Sequence, residues 1–541
     1  MSKECFLRSL DGSHPDLLLE DGVQLEVGRG PKTKIKDSRC SRVQVVLIAD
    51  YVSSSVLCTQ HGGNPSCAQG TLLKPGSKYT LHHKDLLELR QGQFKYSIVF
   101  NPPPAPGESE TVSKPGKRNL SEDSSLGSQS ESKKPKTIVS SGSSPSWFSP
   151  ERGYVFSSKN GFEWMKVYNG KMISMRTTEC KDQEKIAAFD LDGTIITTQS
   201  GKVFATDKND WKILYPEIPG KLKSLYKENY KIVFITNQAG ISRGKLKEED
   251  FQEKVERIQS KLGVPLQVIC STAGGGFFRK PRPGTWFWLE QVGNNKVEVN
   301  REESFYCGDA AGREQNWSGK RKKDFSCSDR LFALNLGLKF YTPEEYFQGQ
   351  APTKKFALPG FDPRTQTVTS LLEPETEELV SKSQELILMV GIQGSGKSHV
   401  SNLLESKGYL VASNDRSGGK EKTLRIVRDG LNHGKRIVVD NTHRDKESRK
   451  DYINLARNAR VPIRCFVMKT NHDQARHNNA YRELVDSEHT KINEMLFNSY
   501  RSKYEEPSLS EGITGIVGVN FVPSFPTEDC RTLYNMFLLE K

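Results

Sequence analysis

A chain of 541 residues is too long for one hydrophobic core, so about three or four domains are expected. Lysine plus arginine number 79 against 66 for aspartate plus glutamate, a surplus of 79 − 66 = 13, which suits either a polyanionic partner or simple solubility. Ten scattered cysteines form no CxxC pair and no zinc spacing, Met1-Ser2-Lys3-Glu4-Cys5 begins polar without a secretory leader, and no apolar run approaches the ~20 residues of a membrane span. The expectation is a soluble, intracellular, multidomain protein with reduced thiols and no membrane partner.

The first domain is read as 1–105, and residues 1–100 lack long helical periodicity. Short apolar segments at Val23–Val27, Val43–Ala49, Ser55–Thr59, Ser77–Leu81, Leu86–Arg90 and Phe94–Phe100 alternate with Gly, Pro and Asn turns, the pattern of an antiparallel β-sandwich. Gly28-Arg29-Gly30, Cys40-Ser41-Arg42 and Gly63-Asn64-Pro65 fall in the connections, where a sandwich carries its binding function. The set resembles the forkhead-associated domain, a reader of phosphothreonine. The resemblance implies that Arg29, Ser41, Arg42 and Asn64 grip the phosphate and the peptide backbone, and arginine forks suit a phosphate dianion. The common Ser-Arg-x-His of that family is Ser41-Arg42-Val43-Gln44 here, a departure at a scaffold position. The plainer reading is a sandwich with ordinary surface arginines.

From 106 to 150 the chain is Ser, Glu, Lys, Pro and Gly, with almost no aromatic or branched apolar residue before Trp147. Such a composition buries too little surface to offset chain entropy and is expected to be a disordered linker. Lys117-Arg118 and Lys133-Lys134-Pro135-Lys136 have the spacing of a bipartite nuclear import signal, or belong to a solvated basic linker. Ser124, Ser125, Ser140 and Ser144 stand in the same stretch, open to phosphorylation.

Residues 151–350 alternate strands and helices: Lys231–Asn237, Leu266–Ser271 and Ser304–Gly308 as strands, Lys247–Leu262 as a helix. In a doubly wound sheet the site lies at the carboxyl ends of the strands. There the run Ile186-Ala187-Ala188-Phe189 delivers Asp190 and Asp192, and Gly193-Thr194 follow. Two carboxylates one residue apart can share a hard divalent cation; one can attack phosphorus while the other holds a proton. The plainer alternative is an Asp-rich turn after a buried strand. Thr236 can hold a phosphate oxygen, Lys280 in Arg279-Lys280-Pro281-Arg282 can neutralise a transferring phosphoryl group, and Asp309 in Gly308-Asp309-Ala310-Ala311-Gly312 can complete a metal shell. The four segments resemble the motifs of haloacid-dehalogenase-type phosphatases, in that order. The resemblance implies an aspartyl-phosphate on Asp190, Asp192 as the acid and then the base, and Mg²⁺ held by Asp190, the main-chain carbonyl of Asp192, and Asp309. Asp324 and Asp329 stay open between support of Lys280 and plain structure.

After a connector over 351–384, the region 385–541 opens with the buried strand Glu385–Val390 and Gly391-Ile392-Gln393-Gly394-Ser395-Gly396-Lys397-Ser398. A helix follows at Val400–Ser406, the context of a P-loop. The glycines Gly391, Gly394 and Gly396, with Ser395, let main-chain N–H groups cradle phosphates; Lys397 reaches the outer phosphates of ATP and Ser398 binds Mg²⁺. Strands at Tyr409–Ala412, Arg436–Val439 and Val461–Met468, the last one clear in the pattern, suit a small phosphotransferase. Asp415 is the candidate base for an acceptor hydroxyl. Arg476 and Arg482 are candidates for charge stabilisation on the transferred group, and Asp440 either orders a metal's water shell or caps a strand.

Taken whole, the order of reader, basic linker, phosphatase and P-loop kinase resembles the metazoan bifunctional polynucleotide kinase/3′-phosphatases, a family of DNA strand-break repair enzymes. One difference is Asp415-Arg416-Ser417-Gly418 where the family carries Asp-Thr-Leu-Gly. The implied fold is multidomain, an all-β sandwich plus two α/β doubly wound domains. The implied function is end healing: removal of a 3′-phosphate and ATP-dependent phosphorylation of a 5′-hydroxyl at DNA nicks, gaps and breaks, with phosphorylated repair scaffolds docked on the reader domain. A monomer in the nucleus is expected, with a mitochondrial fraction left open. Two rivals remain: an RNA end-healing enzyme, since 2′-OH contacts are not readable in sequence, and a phosphopeptide-dependent adaptor with vestigial catalysis.

Overall fold

The computed structural model describes residues 3–102 and 153–540, apart from 11, 52, 70, 91, 367, 487, 488, 490 and 491. The linker 106–150, with its basic clusters and serines, lies outside the described residues. What is described falls into two compact units.

The first unit is a β-sandwich. One sheet runs Leu17–Leu18, Glu4–Ser9, Gln93–Asn101, Leu86–Arg90, Ser66–Ala68, Thr71–Leu73; the other runs Gln24–Val27, Val45–Asp50, Ser55–Gln60, Lys78–His82. Alternation drives the layering: Ser55–Gln60 buries every second residue, so Val56 and Cys58 join Val45, Leu47, Tyr96 and Ile98 in the core. The six expected strands are present. Glu4–Ser9, Leu17–Leu18, Ser66–Ala68 and Thr71–Leu73 are additional, being short segments with a weak pattern of their own.

The second unit holds two α/β sheets. The first runs Tyr154–Lys159, Phe162–Val167, Met172–Thr177, Gln267–Ser271, Tyr230–Asn237, Lys185–Phe189, Phe305–Cys307, Lys339–Tyr341. Its last five members are parallel, and in chain order they read 3-2-1-4-5, so the strand order reverses beside Lys185–Phe189. The first three strands pair antiparallel and extend this sheet; their mixed polar pattern hides them in the sequence. Helix Glu248–Leu262 places Glu248, Glu249 and Asp250 in its first turn and stops at Gly263, which takes φ +61°.

The second sheet runs Leu372–Glu373, Gly515–Val519, Ile463–Met468, Leu386–Val390, Ile437–Val439, Leu410–Ala412. Ile463–Met468 is therefore not the last strand: Gly515–Val519 pairs parallel beside it, and two glycines mask its strand character. Leu372–Glu373, within the segment read as connector, pairs antiparallel with Gly515–Val519. The helix after the P-loop begins at Lys397. The two α/β regions share apolar packing: Leu533, Met536 and Leu538 lie in one buried cluster with Trp286, Phe332 and Leu336. Burying a Leu or Met side chain stabilises by roughly 1.5–3 kcal/mol, so the contact is a structural joint. Among the described residues no helix is long and apolar enough to cross a membrane.

Candidate functional sites

The parallel order brings the predicted phosphatase residues to one crevice. Asp190 follows strand Lys185–Phe189, Thr236 is the penultimate residue of Tyr230–Asn237, and Asp309 stands two residues beyond Phe305–Cys307. Asp190 is 8% exposed and Thr236 2%. The buried Lys280 ammonium donates to Asp190 Oδ1, Asp329 Oδ1 and the Tyr306 hydroxyl, each at 2.7 Å, and to the Ile235 carbonyl at 2.8 Å. Its main chain is pinned to Asn237, whose side chain accepts from Lys280 N at 3.1 Å and donates to Lys280 O at 3.2 Å.

Carboxylate oxygens of Asp190, Asp309 and Asp329 lie within 4.8 Å of one another. Burial pushes Asp190 up to about 7, against the pull of Lys280 and helped by Asp329. Burial, then the Asp190 and Asp329 charges, push Asp309 well above the usual carboxylate range. Burial opposes a charged Lys280, but Asp190 and Asp329 outweigh it and raise its pKa. Three carboxylates facing one ammonium leave an excess of buried negative charge, and Asp309 has no side-chain hydrogen bond among the described residues. That donor set fits a hard divalent cation. Asp329 is less free to ligate, since Oδ1 accepts from Lys280 and Tyr306 and Oδ2 from Ala310 N at 3.0 Å.

Asp192 stands apart at the crevice mouth, its side chain 49% exposed. Lys254 Nζ donates to its Oδ1 at 3.0 Å and Gln238 Nε2 to its Oδ2 at 2.6 Å; Gln238 also donates to Thr236 Oγ1 at 3.0 Å. Of the two aspartates left open, Asp329 holds Lys280. Asp324 instead pairs with Arg313 at 2.8 Å and accepts from Ala311 N and Arg313 N, shaping the loop after Asp309. Sequence reasoning missed Lys254, Gln238, Asn237 and Tyr306. Lys254 left a trace: it falls on the same helical stripe as Phe251, Val255, Ile258 and Leu262, and a lysine there calls for a buried partner.

At the second site the P-loop wraps a cavity of about 410 Å³, lined by Gly394, Gly396, Lys397, Ser398, Asn478, Tyr481, Arg482, Phe521, Phe525 and Tyr534 among others. Gly394 takes φ +79° and a Cβ there would meet the Ala475 carbonyl at 2.4 Å, so that position admits no side chain. Lys397 Nζ donates to the Ile392 carbonyl at 2.8 Å; burial lowers its pKa to about 8, while Asp440 and Asp415 counteract. Gly391 and Ser395 shape the loop from behind: Gly391 N donates to the Thr442 carbonyl at 3.1 Å and Thr470 Oγ1 to the Ser395 carbonyl at 2.9 Å. Asp415 is exposed, in the short helix Asn414–Ser417 after strand Leu410–Ala412. Arg482 reaches the cavity. Arg476 is not among the cavity-lining residues; it pairs with Glu494 at 2.8 Å, on helix Glu494–Lys503.

In the sandwich, Arg29, Ser41, Arg42 and Asn64 come from three connections. Arg29 N donates to the Ser41 carbonyl at 2.8 Å, Arg29 Nε to the Cys40 carbonyl at 3.2 Å, and Asn64 Nδ2 to the Arg39 carbonyl at 2.7 Å. The buried Gln44 does the scaffold work: Oε1 accepts from Ser41 N at 2.9 Å and Nε2 donates to the Asn64 carbonyl at 2.6 Å.

An aspartate–lysine phosphoryl-transfer crevice and a P-loop nucleotide site in one packed body, with a β-sandwich in the same chain, define a bifunctional phosphotransfer protein. Residues 185–347 match the family profile Polynucleotide kinase 3 phosphatase, 5–75 an FHA domain and 386–507 an AAA domain. The bifunctional polynucleotide phosphatase/kinase of Schizosaccharomyces pombe is 34% identical over 345 residues, 63% of this chain and 81% of its own length. The polynucleotide 3′-phosphatase ZDP of Arabidopsis thaliana is 38% identical over 195 residues, 34% of this chain and 26% of that one. A solved structure of the FHA domain of human APLF with an XRCC1 bisphospho peptide is 26% identical, covering 18% of this chain and 97% of that one, at a TM-score of 0.16. The chain belongs to the bifunctional polynucleotide phosphatase/kinase family and is an enzyme of both activities.

Proposed function

We propose that the enzyme heals DNA ends: it removes 3′-phosphates through an aspartyl-phosphate on Asp190 and moves the ATP γ-phosphate to 5′-hydroxyls. The observation that carries the first half is the Lys280 ammonium, 2.7 Å from Asp190 Oδ1 in an acidic cluster short of positive charge. In this reading Asp190 Oδ attacks phosphorus, the P–O bond to the 3′ oxygen breaks, and Asp192 hands that oxygen its proton; Asp192 then takes a proton from the water that opens the acyl phosphate. Lys254 and Gln238 fix the Asp192 carboxyl for this double duty. Thr236 and Lys280 hold the phosphoryl oxygens. Asp190, the Asp192 carbonyl and Asp309 would hold Mg²⁺, which when bound would supply further positive charge to the phosphoryl group.

In the kinase half, P-loop N–H groups and Lys397 hold the ATP phosphates, Ser398 serves the Mg²⁺ of the nucleotide, and Arg482 steadies the transferred group. Asp415 accepts the proton of the 5′-hydroxyl; its exposed position leaves room for a polynucleotide end. The basic surplus favours such a partner. The sandwich docks phosphothreonine-bearing repair scaffolds through Arg29, Ser41, Arg42 and Asn64, the basic linker directs the enzyme to the nucleus, and it works as a monomer.

One incubation tests the reading: a nicked duplex with 3′-phosphate and 5′-hydroxyl, Mg²⁺ and labelled ATP, with both ends followed. Both ends are expected to convert on DNA, and faster than on a matched RNA duplex. Equal or faster conversion of RNA would move the substrate to RNA; conversion of neither end would leave an adaptor. Asp190→Ala should abolish only the first reaction and Lys397→Ala only the second.

A further inference from the structure

The segment Phe537–Glu540, which follows the helix Glu528–Tyr534 of the kinase half, lies against the loop that carries Lys280. Asn335, on helix Ser328–Leu336 of the phosphatase half, joins the two. Its Nδ2 donates to the Pro281 carbonyl and to the Phe537 carbonyl, both at 2.9 Å, and its Oδ1 accepts from Phe537 N at 2.7 Å. Arg282, two residues beyond Lys280, is 7% exposed and donates through Nε to the Leu538 carbonyl at 3.1 Å; its NH2 faces Glu483 of the kinase helix His472–Val485 at 3.8 Å. Ser326 donates to the Glu540 carboxylate. Phe537 and Leu538 are each 2% exposed, so the segment is packed rather than draped.

We propose that Phe537–Glu540 is a positioning element of the phosphatase site, supplied by the kinase half: through Asn335 and Arg282 it holds the Pro281-Arg282 flank and so keeps Lys280 aimed at Asp190. Asn237 holds the main chain of Lys280 from the sheet side, and the segment closes the other side. Lys280 shares its three N–H donors among four oxygens at 2.7–2.8 Å; a small shift of its loop misaligns all of them, and errors of that size in a catalytic charge cost rate rather than binding. The inference rests on the reading of Lys280 as the group that serves the phosphoryl transfer.

The test uses the full chain and three variants: Asn335→Ala, deletion of 537–541, and both together. The helix Glu528–Tyr534 and its Tyr534 hydroxyl bond to Asn478 stay in all of them, so kinase turnover in the same molecules reports folding. Each single variant is expected to lower 3′-phosphatase kcat about tenfold with KM and kinase turnover within about twofold. The double variant should lose no more than the worse single one, because Asn335 and Phe537 are successive links of one connection to Pro281. Phosphatase kcat unchanged, a rise in KM in place of the fall in kcat, kinase and phosphatase falling in parallel, or multiplicative losses in the double variant would each overturn the proposal. Lys280→Met is run alongside: if it retains phosphatase activity the reading of Lys280 fails, whatever the other variants do.

Discussion

The Cβ that Gly193 lacks would stand 2.4 Å from Oδ2 of Asp309. Gly193 also takes φ +86°, where a side chain adds roughly 1–2 kcal/mol of strain. The glycine of the Asp190–Thr194 run is thus more than a turn residue: it lets the third carboxylate enter. Its neighbour Thr194 then fixes that residue by accepting from Asp309 N at 3.0 Å. Gly193→Ala is expected to displace the Asp309 carboxylate and lower phosphatase kcat/KM by at least about a hundredfold, with kinase turnover unchanged. Steady-state assays of both ends on one substrate check it; a loss below about threefold would mean that the Asp309 position is not critical.

Charge excess in the same crevice has a thermodynamic signature. The Asp190 carboxyl, raised to about 7 by burial, ionises near pH 4 in the unfolded chain. Between those values the folded state binds more protons, so the contribution of Asp190 to stability is present at low pH and is lost as pH rises through about 7. Asp190→Asn is therefore expected to raise the Tm of the metal-free protein at pH 8, and by less at pH 5. Added Mg²⁺ should raise the wild-type Tm more than that of the variant, since ligand binding to the folded state alone stabilises it. Thermal scans at both pH values, with chelator and with Mg²⁺, decide the matter; a variant less stable than wild type at pH 8 in chelator would count against a charge excess.

A second titration belongs to the P-loop. Burial lowers Lys397 to about 8, so in the nucleotide-free protein the ammonium is lost as pH rises through 8, where ATP phosphates are already ionised. ATP must then meet a neutral amine or restore its proton. Affinity is expected to weaken by about tenfold from pH 7 to pH 9, the factor a single group with a pKa near 8 supplies. Lys397→Arg keeps its charge throughout and should give a flat, weaker profile. Equilibrium titration with nucleotide at several pH values measures both; a flat wild-type profile would place the lysine pKa well above 8.

Local chemistry was legible in the sequence and long-range chemistry was not. Asp190, Asp192, Gly193 and Thr194 are consecutive or nearly so, as are Gly391 to Ser398, and each set follows a buried strand, so strand, turn and site are read in one window. The choice between Asp324 and Asp329 was not readable, because five residues of separation say nothing about which carboxylate turns toward Lys280. Arg476 and Arg482 differ in the same way: both lie on helix His472–Val485, but only Arg482 lines the cavity, while Arg476 meets Glu494. Least readable was the contact of Arg282 with Leu538, 256 residues apart in the chain. Strand Gly515–Val519 escaped because its glycines contribute no side chain to the pattern.

Gln44 offers a test of the reader sandwich that leaves catalysis alone. It occupies the position where the common forkhead-associated pattern has histidine, and it is fully buried. Its amide ties the Ser41 main chain to the Asn64 main chain, with a further donation to Ser66 Oγ at 3.2 Å, so one side chain sets the spacing between two of the loops proposed to grip phosphopeptide. A Cβ on Gly62 would meet Gln44 Oε1 at 2.3 Å, which shows how closely the chain folds over it. Gln44→Ala removes these bonds and leaves buried polar groups unmet, at a cost of about 1–3 kcal/mol. Because the loss falls on loop spacing, binding of a phosphothreonine peptide should weaken by about tenfold or more while both catalytic rates hold. Arg42→Ala, on an exposed side chain without such a tie, should weaken the same peptide with no change in Tm. Peptide titration beside thermal scans separates the two effects. If Gln44→Ala loses thermal stability yet binds peptide as wild type does, the glutamine supports the sandwich and the loop spacing is set elsewhere.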